Sequence, residues 1–284
     1  MLGPTTIAIR SQAVTVEMAR DGHEILMVEG LYKHFGKVKA VDGLTFGVRP
    51  GEIYGLLGPN GAGKTTTIKC ILGLLEMQQG SITVLGDDPI ESPERVKANI
   101  GYVAEEPLLY GSLTPREMLN FIASVRGLEE ESATERARRL ITSLDATKYY
   151  DSLMETLSRG NKQKVQLIAA LLHDPRVLIL DEPLSGIDAK SSKVVKEVLE
   201  LHVEHGGSVL LSTHIMEQAQ TLCDRIGIIN KGRLVAEGTL DELRQLEHAA
   251  GASLEDIFLR LTEQDQAVKE TIDRFRDAYK VNRN

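Results

Sequence analysis

The chain has 284 residues, 42% of them hydrophobic and 26% charged, enough to bury one large core or a core with an appendage. Lys and Arg number 33 against 41 Asp and Glu, a net charge of −8, which weighs against a nucleic-acid binder and leaves only a local basic patch for that role. Two cysteines, Cys70 and Cys223, cannot build a disulfide framework and suit a reducing cytosol.

No run of residues approaches the roughly 18 apolar positions of a membrane span, and the N-terminus lacks a basic segment followed by an apolar one. The chain itself reads as soluble, so any membrane role needs a partner. Residues 1–26 carry no motif and read as an N-terminal extension. From Ile25 to Ile53, β-prone runs (Ile25–Val28, Leu44–Val48) alternate with the turn residues Gly36-Lys37 and Pro50-Gly51, the pattern of antiparallel hairpins. Ile53–Leu57 is a buried strand, followed by a Gly-rich turn and a helix expected over Thr65–Leu75. Cys70 lies in that helix among apolar neighbours and reads as a small buried hydrophobe.

Residues from about 100 to 176 change character, with Glu, Arg, Leu and Ala at helical spacing, as in Glu130–Leu144 and Gln163–Leu172. Strands and helices then alternate: a strand at Val177–Leu180, a helix near Ser191–His205, a strand at Ser208–Leu211, a helix near Met216–Cys223 and a strand at Arg225–Ile229. That alternation predicts an α/β fold with a mostly parallel sheet flanked by helices, joined by an antiparallel β subdomain and an α-helical subdomain. A charged helical tail over 244–284 carries Val268, Ile272, Phe275 and Tyr279 along one stripe, the face of an amphipathic helix.

Three strand ends carry chemistry. Gly58-Pro59-Asn60-Gly61-Ala62-Gly63-Lys64-Thr65, running into Thr66, fits G-x-x-x-x-G-K-[ST] between an apolar strand and a helix. The glycines let the backbone curl so that N–H groups and the helix N-terminus face phosphate oxygens. Lys64 is then placed for the β- and γ-phosphates, and the Thr65 hydroxyl for Mg²⁺. The strand Val177–Leu180 ends in Asp181-Glu182, where Asp181 suits the Mg²⁺ shell and Glu182 a water-activating base. Val209–Leu211 leads to Ser212-Thr213-His214 on the same sheet edge, which places His214 near the γ-phosphate.

The order of these motifs resembles the ATP-binding subunit of an ABC transporter over residues 27–243, the P-loop NTPase fold. The family's LSGGQ signature corresponds to Leu157-Ser158-Arg159-Gly160-Asn161, and Leu184-Ser185-Gly186-Ile187-Asp188 looks like the loop that crosses to a second subunit. Phe35 stands where the family places an aromatic ring on adenine, and Glu105 where a glutamine senses Mg²⁺ and the transmembrane partner. Arg159 and Asn161 also depart from the pattern, while Ser158 and Gly160 keep the hydroxyl and the close backbone approach.

The resemblance implies ATP and Mg²⁺ as cofactors and head-to-tail pairing with an identical or different ATPase subunit. Ser158, Gly160 and Asp188 of one subunit then serve the ATP of the other. It also implies one or more polytopic permease subunits, no nucleic acid, and a cytoplasmic location on the inner face of the membrane. The Glu105 and Arg159 variations and the segment Ser253–Thr262 point to the exporter branch. The rival reading is a soluble ABC-type ATPase working on ribosomes or DNA. Against it stand a single phosphate loop, a single signature and the absence of a heptad run between Gly73 and Leu157.

Overall fold

Two strands, β1 (Leu26–Phe35) and β2 (Val38–Val48), pair antiparallel around the two-residue turn Gly36-Lys37, which Gly36 opens at φ 59°. β4 (Gln79–Val84) adds to the other side of β1, giving a three-stranded antiparallel sheet. The computed structural model describes residues 24–185, 187–246 and 253–262, together with 271 and 274.

The main sheet runs in the order β5-β6-β7-β3-β8-β9. Its strands are β3 (Ile53–Leu57), β5 (Ile100–Val103), β6 (Val177–Asp181), β7 (Ser208–Thr213), β8 (Arg225–Asn230) and β9 (Arg233–Gly238), all parallel except β9. Every residue of β3, β6 and β7 is buried, as expected of strands covered on both faces. Alternate side chains of β6 divide the core. Leu178 and Leu180 pack with the helical layer, and Val177 and Ile179 pack beneath the antiparallel sheet with Leu26 and Phe46.

The helices are α1 (Lys64–Ile71), α2 (Pro93–Asn99), α3 (Pro115–Val125), α4 (Glu130–Ser143), α5 (Arg159–Leu171), α6 (Ala189–Glu204), α7 (Met216–Leu222), α8 (Leu240–Leu246) and α9 (Leu254–Leu261). α3 starts on a capping box: the Thr114 side chain accepts from the Glu117 N–H, the Glu117 carboxylate accepts from the Thr114 N–H, and Pro115 fills the first turn.

Several expected boundaries move. α1 stops at Ile71 instead of Leu75, because Gly73 takes φ 67° and the Leu74 and Gly73 N–H groups return to the Lys69 and Cys70 carbonyls in a Schellman motif. The helical segment expected from about 100 begins later, since Ile100–Val103 is the edge strand of the main sheet and the helices α3–α5 occupy Pro115 to Leu171. The Ile25 N–H donates to Val48 O and Leu26 is fully buried, so both belong to the core and not to an extension. Within the expected tail, α9 joins the core, because Leu254, Ile257 and Phe258 pack with Leu57, Ile226 and Ile228. The stripe from Val268 to Tyr279 lies outside the described residues.

An ionic cluster joins the two sheets at their shared border. Arg225 of β8 donates to Glu52 at 3.0 Å and to Glu237 of β9 at 2.8 Å, and the Tyr54 hydroxyl also donates to Glu237 at 2.8 Å. The guanidinium lies 5.3 Å from the Tyr54 ring centroid and reaches Gly47 O in β2 at 3.4 Å. Burial raises the Glu52 pKa despite the Arg225 charge beside it.

Candidate active site

The strand order brings three carboxyl ends together. β3, β7 and β6 are neighbours, so the phosphate loop, Thr213-His214 and Asp181-Glu182 emerge side by side from one edge of the sheet. The loop is tied to its neighbour, because the Gly58 N–H donates to Thr213 O at 3.2 Å. Gly61 and Gly63 take φ 79° and 109°, values open to glycine alone at low cost. Gly63 caps α1 without any side-chain cap bond, which leaves the helix N-terminus available to an anion.

A cleft of about 480 Å³ opens above this edge. It is lined by the phosphate-loop residues Asn60, Gly61, Gly63, Lys64, Thr65 and Thr66, by Phe35, Val38, Lys39 and Ala40 of the first hairpin, and by Glu105 and Glu182. Gly58, Pro59 and Ala62 do not line it. Lys64 is 6% exposed. Its ammonium donates to Gly58 O at 2.8 Å and Pro59 O at 3.3 Å and stands 3.3 Å from Glu182 Oε1. Phe35 is exposed beside Lys33, whose ammonium sits 5.1 Å from the ring centroid.

Glu182 is held by its backbone. It takes φ 48° and its N–H donates to Ser212 O at 3.1 Å. Its carboxylate is 5% exposed, and neither oxygen has a directed hydrogen bond. Oε1 instead faces His214 Nδ1 at 2.9 Å and the Lys64 ammonium at ion-pair distance. Asp181 lies deeper, 1% exposed, and accepts a short hydrogen bond from the Ser212 hydroxyl. Burial pushes the Tyr102 phenol up to about 12, aided by the Asp181 and Glu105 charges, so it remains a neutral neighbour.

Thr65 and Glu105 line the cleft and Asp181 lies buried at its strand end, all three hard oxygen donors of the chemistry Mg²⁺ requires. No three His, Cys, Asp or Glu side chains among the described residues close into a protein cage. A cation held partly by substrate phosphates and water needs no such cage, so these residues fit Mg²⁺.

Ser158, Gly160 and Asp188 do not line this cleft. They form a second cluster at the start of α5 and α6: Ser158 Oγ accepts from the Asn161 N–H at 3.3 Å, and Asp188 accepts from the Ser191 N–H at 2.9 Å. A Cβ on Gly160 would stand 3.4 Å from Asp188 Oδ2 and Ser191 Oγ. Hydrogen bonds from the Ser191 backbone and hydroxyl hold the Asp188 carboxyl below its ordinary range. The sequence reading missed Val38, Lys39 and Ala40, whose only signal was their place just after the Phe35 turn. It also missed Gly232, which contacts the loop from outside and was marked only by the turn dipeptide Lys231-Gly232.

Comparisons with known proteins agree with this geometry. The ABC transporter family profile matches residues 41–185. The ABC transporter ATP-binding protein YhaQ of Bacillus subtilis is 39% identical over 221 residues, 78% of this chain and 73% of that protein. YbhF of Escherichia coli, named as a multidrug ABC transporter ATP-binding protein, is 39% identical over 78% of this chain, which spans only 38% of that longer protein. A solved ATP-binding subunit of an ABC transporter superposes with a TM-score of 0.79 at 36% identity, covering 84% of this chain and 99% of its own. The chain belongs to the ABC transporter family, as an ATP-binding and ATP-hydrolysing subunit.

Proposed function

We propose that this subunit drives export through separate membrane permeases, pairing head to tail with a second ATPase subunit around two ATP. The observation that carries the catalytic part is the Glu182 carboxylate: buried, without a directed hydrogen bond, and 2.9 Å from His214 on the edge where the phosphate loop emerges. Glu182 takes the proton of the attacking water, and His214 holds that carboxylate and the water in line. Lys64 and the loop N–H groups from Gly58 to Thr66 bind the phosphates, and Phe35 stacks on the base. Thr65, Asp181 and Glu105 hold Mg²⁺, which offsets charge on the phosphates when bound. Ser158, Gly160 and Asp188 serve the partner's nucleotide, in keeping with their absence from the lining of this chain's own cleft.

The permease docks on an apolar groove of about 270 Å³ between the Glu105 loop and α3, lined by Tyr102, Leu108, Met118, Phe121 and Val125 among others. Leu108 and Val125 are 72% and 71% exposed, an unusual state for adjoining large apolar side chains. No described helix is long and apolar enough to cross a membrane. The subunit therefore works from the inner membrane face through this contact. The export reading is supported by the departures at Glu105 and Arg159 and by the likeness to YbhF, a multidrug ABC transporter ATP-binding protein. The acidic net charge speaks against ribosomes or DNA as targets.

The test is a tagged Glu182→Gln chain purified from detergent-solubilised native membranes with Mg-ATP. A polytopic membrane protein should co-purify and be lost in a Leu108→Asp, Val125→Asp background. Ribosomal or DNA-repair proteins in its place would overturn the transport reading while leaving the ATPase chemistry standing.

A further inference from the structure

We propose that the β8–β9 turn, Lys231-Gly232, is a positioning clamp on the phosphate loop that sets ATP affinity and not the rate of cleavage. The inference rests on the reading of residues 58–66 as the nucleotide-phosphate cradle. Asn230 pairs with Arg233 across this turn, and Lys231 and Gly232 take φ 48° and 79°, the paired positive angles of a type I′ hairpin. Closing such a hairpin asks no further bond of its central residues. Gly232 is nonetheless buried and uses both backbone groups: its N–H donates to Ala62 O at 2.9 Å, and its carbonyl accepts from the Asp42 N–H at 2.9 Å. The turn thus joins the phosphate loop to β2.

The direction of the first bond matters. Ala62 C=O and Gly63 N–H belong to one planar trans peptide and point opposite ways. Holding the carbonyl toward the outside turn fixes the Gly63 N–H toward the other side, at the helix N-terminus where a phosphate would bind. Contacts around the loop leave little room for adjustment. A Cβ on Gly232 would lie 2.9 Å from Ala40 O and Val41 Cα, and one on Gly58 2.5 Å from Ile229 O. A Cβ on Gly63 would collide with Ala40 O.

Side chains brace the turn at both ends. Arg233 makes two hydrogen bonds to Asp42 Oδ2, at 2.9 and 2.7 Å. Asn230 Nδ2 donates to Thr262 O at 3.4 Å, so the end of α9 is tied to the strand that holds the loop.

An alanine at 232 is strained at this φ as well as crowded, and the turn relaxes away from the loop. ATP binding must then restore it, so the cost appears in affinity. We would measure the Kd of a fluorescent ATP analogue, steady-state ATPase kinetics, and Tm with and without nucleotide for wild type, Gly232→Ala, Arg233→Ala and Arg233→Lys. Gly232→Ala should weaken Kd about tenfold, with KM following and kcat at saturation changing far less. Arg233→Ala should show the same split at smaller amplitude, partly restored in Arg233→Lys, and these two decide the matter if Gly232→Ala does not fold. Unchanged Kd with a Tm lowered equally in the presence and absence of nucleotide would mean a merely structural turn and overturn the proposal, as would a loss confined to kcat. A wild-type chain that bound no nucleotide would instead overturn the ATPase reading beneath it.

Discussion

Glu182 owes its direction to its main chain. A left-handed φ of 48° in a non-glycine residue costs on the order of 1–3 kcal/mol, and such strain persists where the surroundings over-determine it. Here the Ser212 carbonyl holds the Glu182 N–H, and the β6–β7 register pairs the preceding Asp181 with Ser212. The side chain can then be changed without moving the backbone. Glu182→Gln should keep ATP affinity while lowering kcat by roughly 10²–10⁴-fold, the usual contribution of a general base. Steady-state phosphate release measures it, and near-wild-type turnover would remove Glu182 from that role. The identities of Lys64, Asp181, Glu182 and His214 were legible in the sequence because each follows an apolar strand. The strain at Glu182 and the Ser212–Asp181 hydrogen bond were not, since both depend on which strands lie side by side.

Among the elements, long periodic segments were read well and short ones poorly. The α4 and α6 helices show themselves by apolar spacing, and β3, β6 and β7 by continuous apolar runs. β5 is only four residues, Ile-Gly-Tyr-Val, and its pairing with β6 across more than seventy positions leaves no local trace. Beyond the end of α5, His173 draws that helix onto β5, with Nε2 3.0 Å from Ile100 O. Burial, helped by Arg126 and Arg136 and opposed by the Ile100 bond and Asp174, lowers its pKa from 6.5 to about 4. The unfolded chain therefore binds this proton more readily than the folded one. The group's contribution to stability is complete above pH 6.5 and is lost as pH falls toward about 4. His202, also depressed chiefly by burial, acts with the same sign. Thermal melts across that range should show a smaller acid-induced drop in Tm for His173→Gln than for wild type. An identical drop would mean that His173 takes up no extra proton on unfolding.

At the scale of the whole molecule, the phosphate-loop cleft and the cluster of Ser158, Gly160 and Asp188 share no lining residue. Ser158 and Gly160 do not line the cleft over Lys64, and Gly160 lies instead against Asp188 and Ser191. Under the proposed head-to-tail pairing, a second copy or a related subunit would complete both at once. Glu182→Gln should therefore run as a dimer in size exclusion with Mg-ATP and as a monomer with ADP. Monomers at saturating ATP would contradict the shared site. The order of motifs led the sequence reading to expect this division as part of the family resemblance. The core role of Leu254, Ile257 and Phe258 was hidden, because a short charged helix looks alike whether it docks on its own sheet or on a partner.

Arg225 constrains how this sequence can change over time. One guanidinium serves Glu52 and Glu237, and Tyr54 shares the second carboxylate. Losing the arginine alone takes the shared cation from Glu52 and Glu237, which keep neutral donors such as the Arg49 N–H and the Tyr54 hydroxyl, and losing either glutamate alone removes one of the cation's two carboxylates, each a costly step. A wholly apolar replacement of the group could be as stable, but no single substitution leads there. These positions should therefore vary together or not at all among descendants of this chain, and the border between its two sheets inherits its chemistry as a unit.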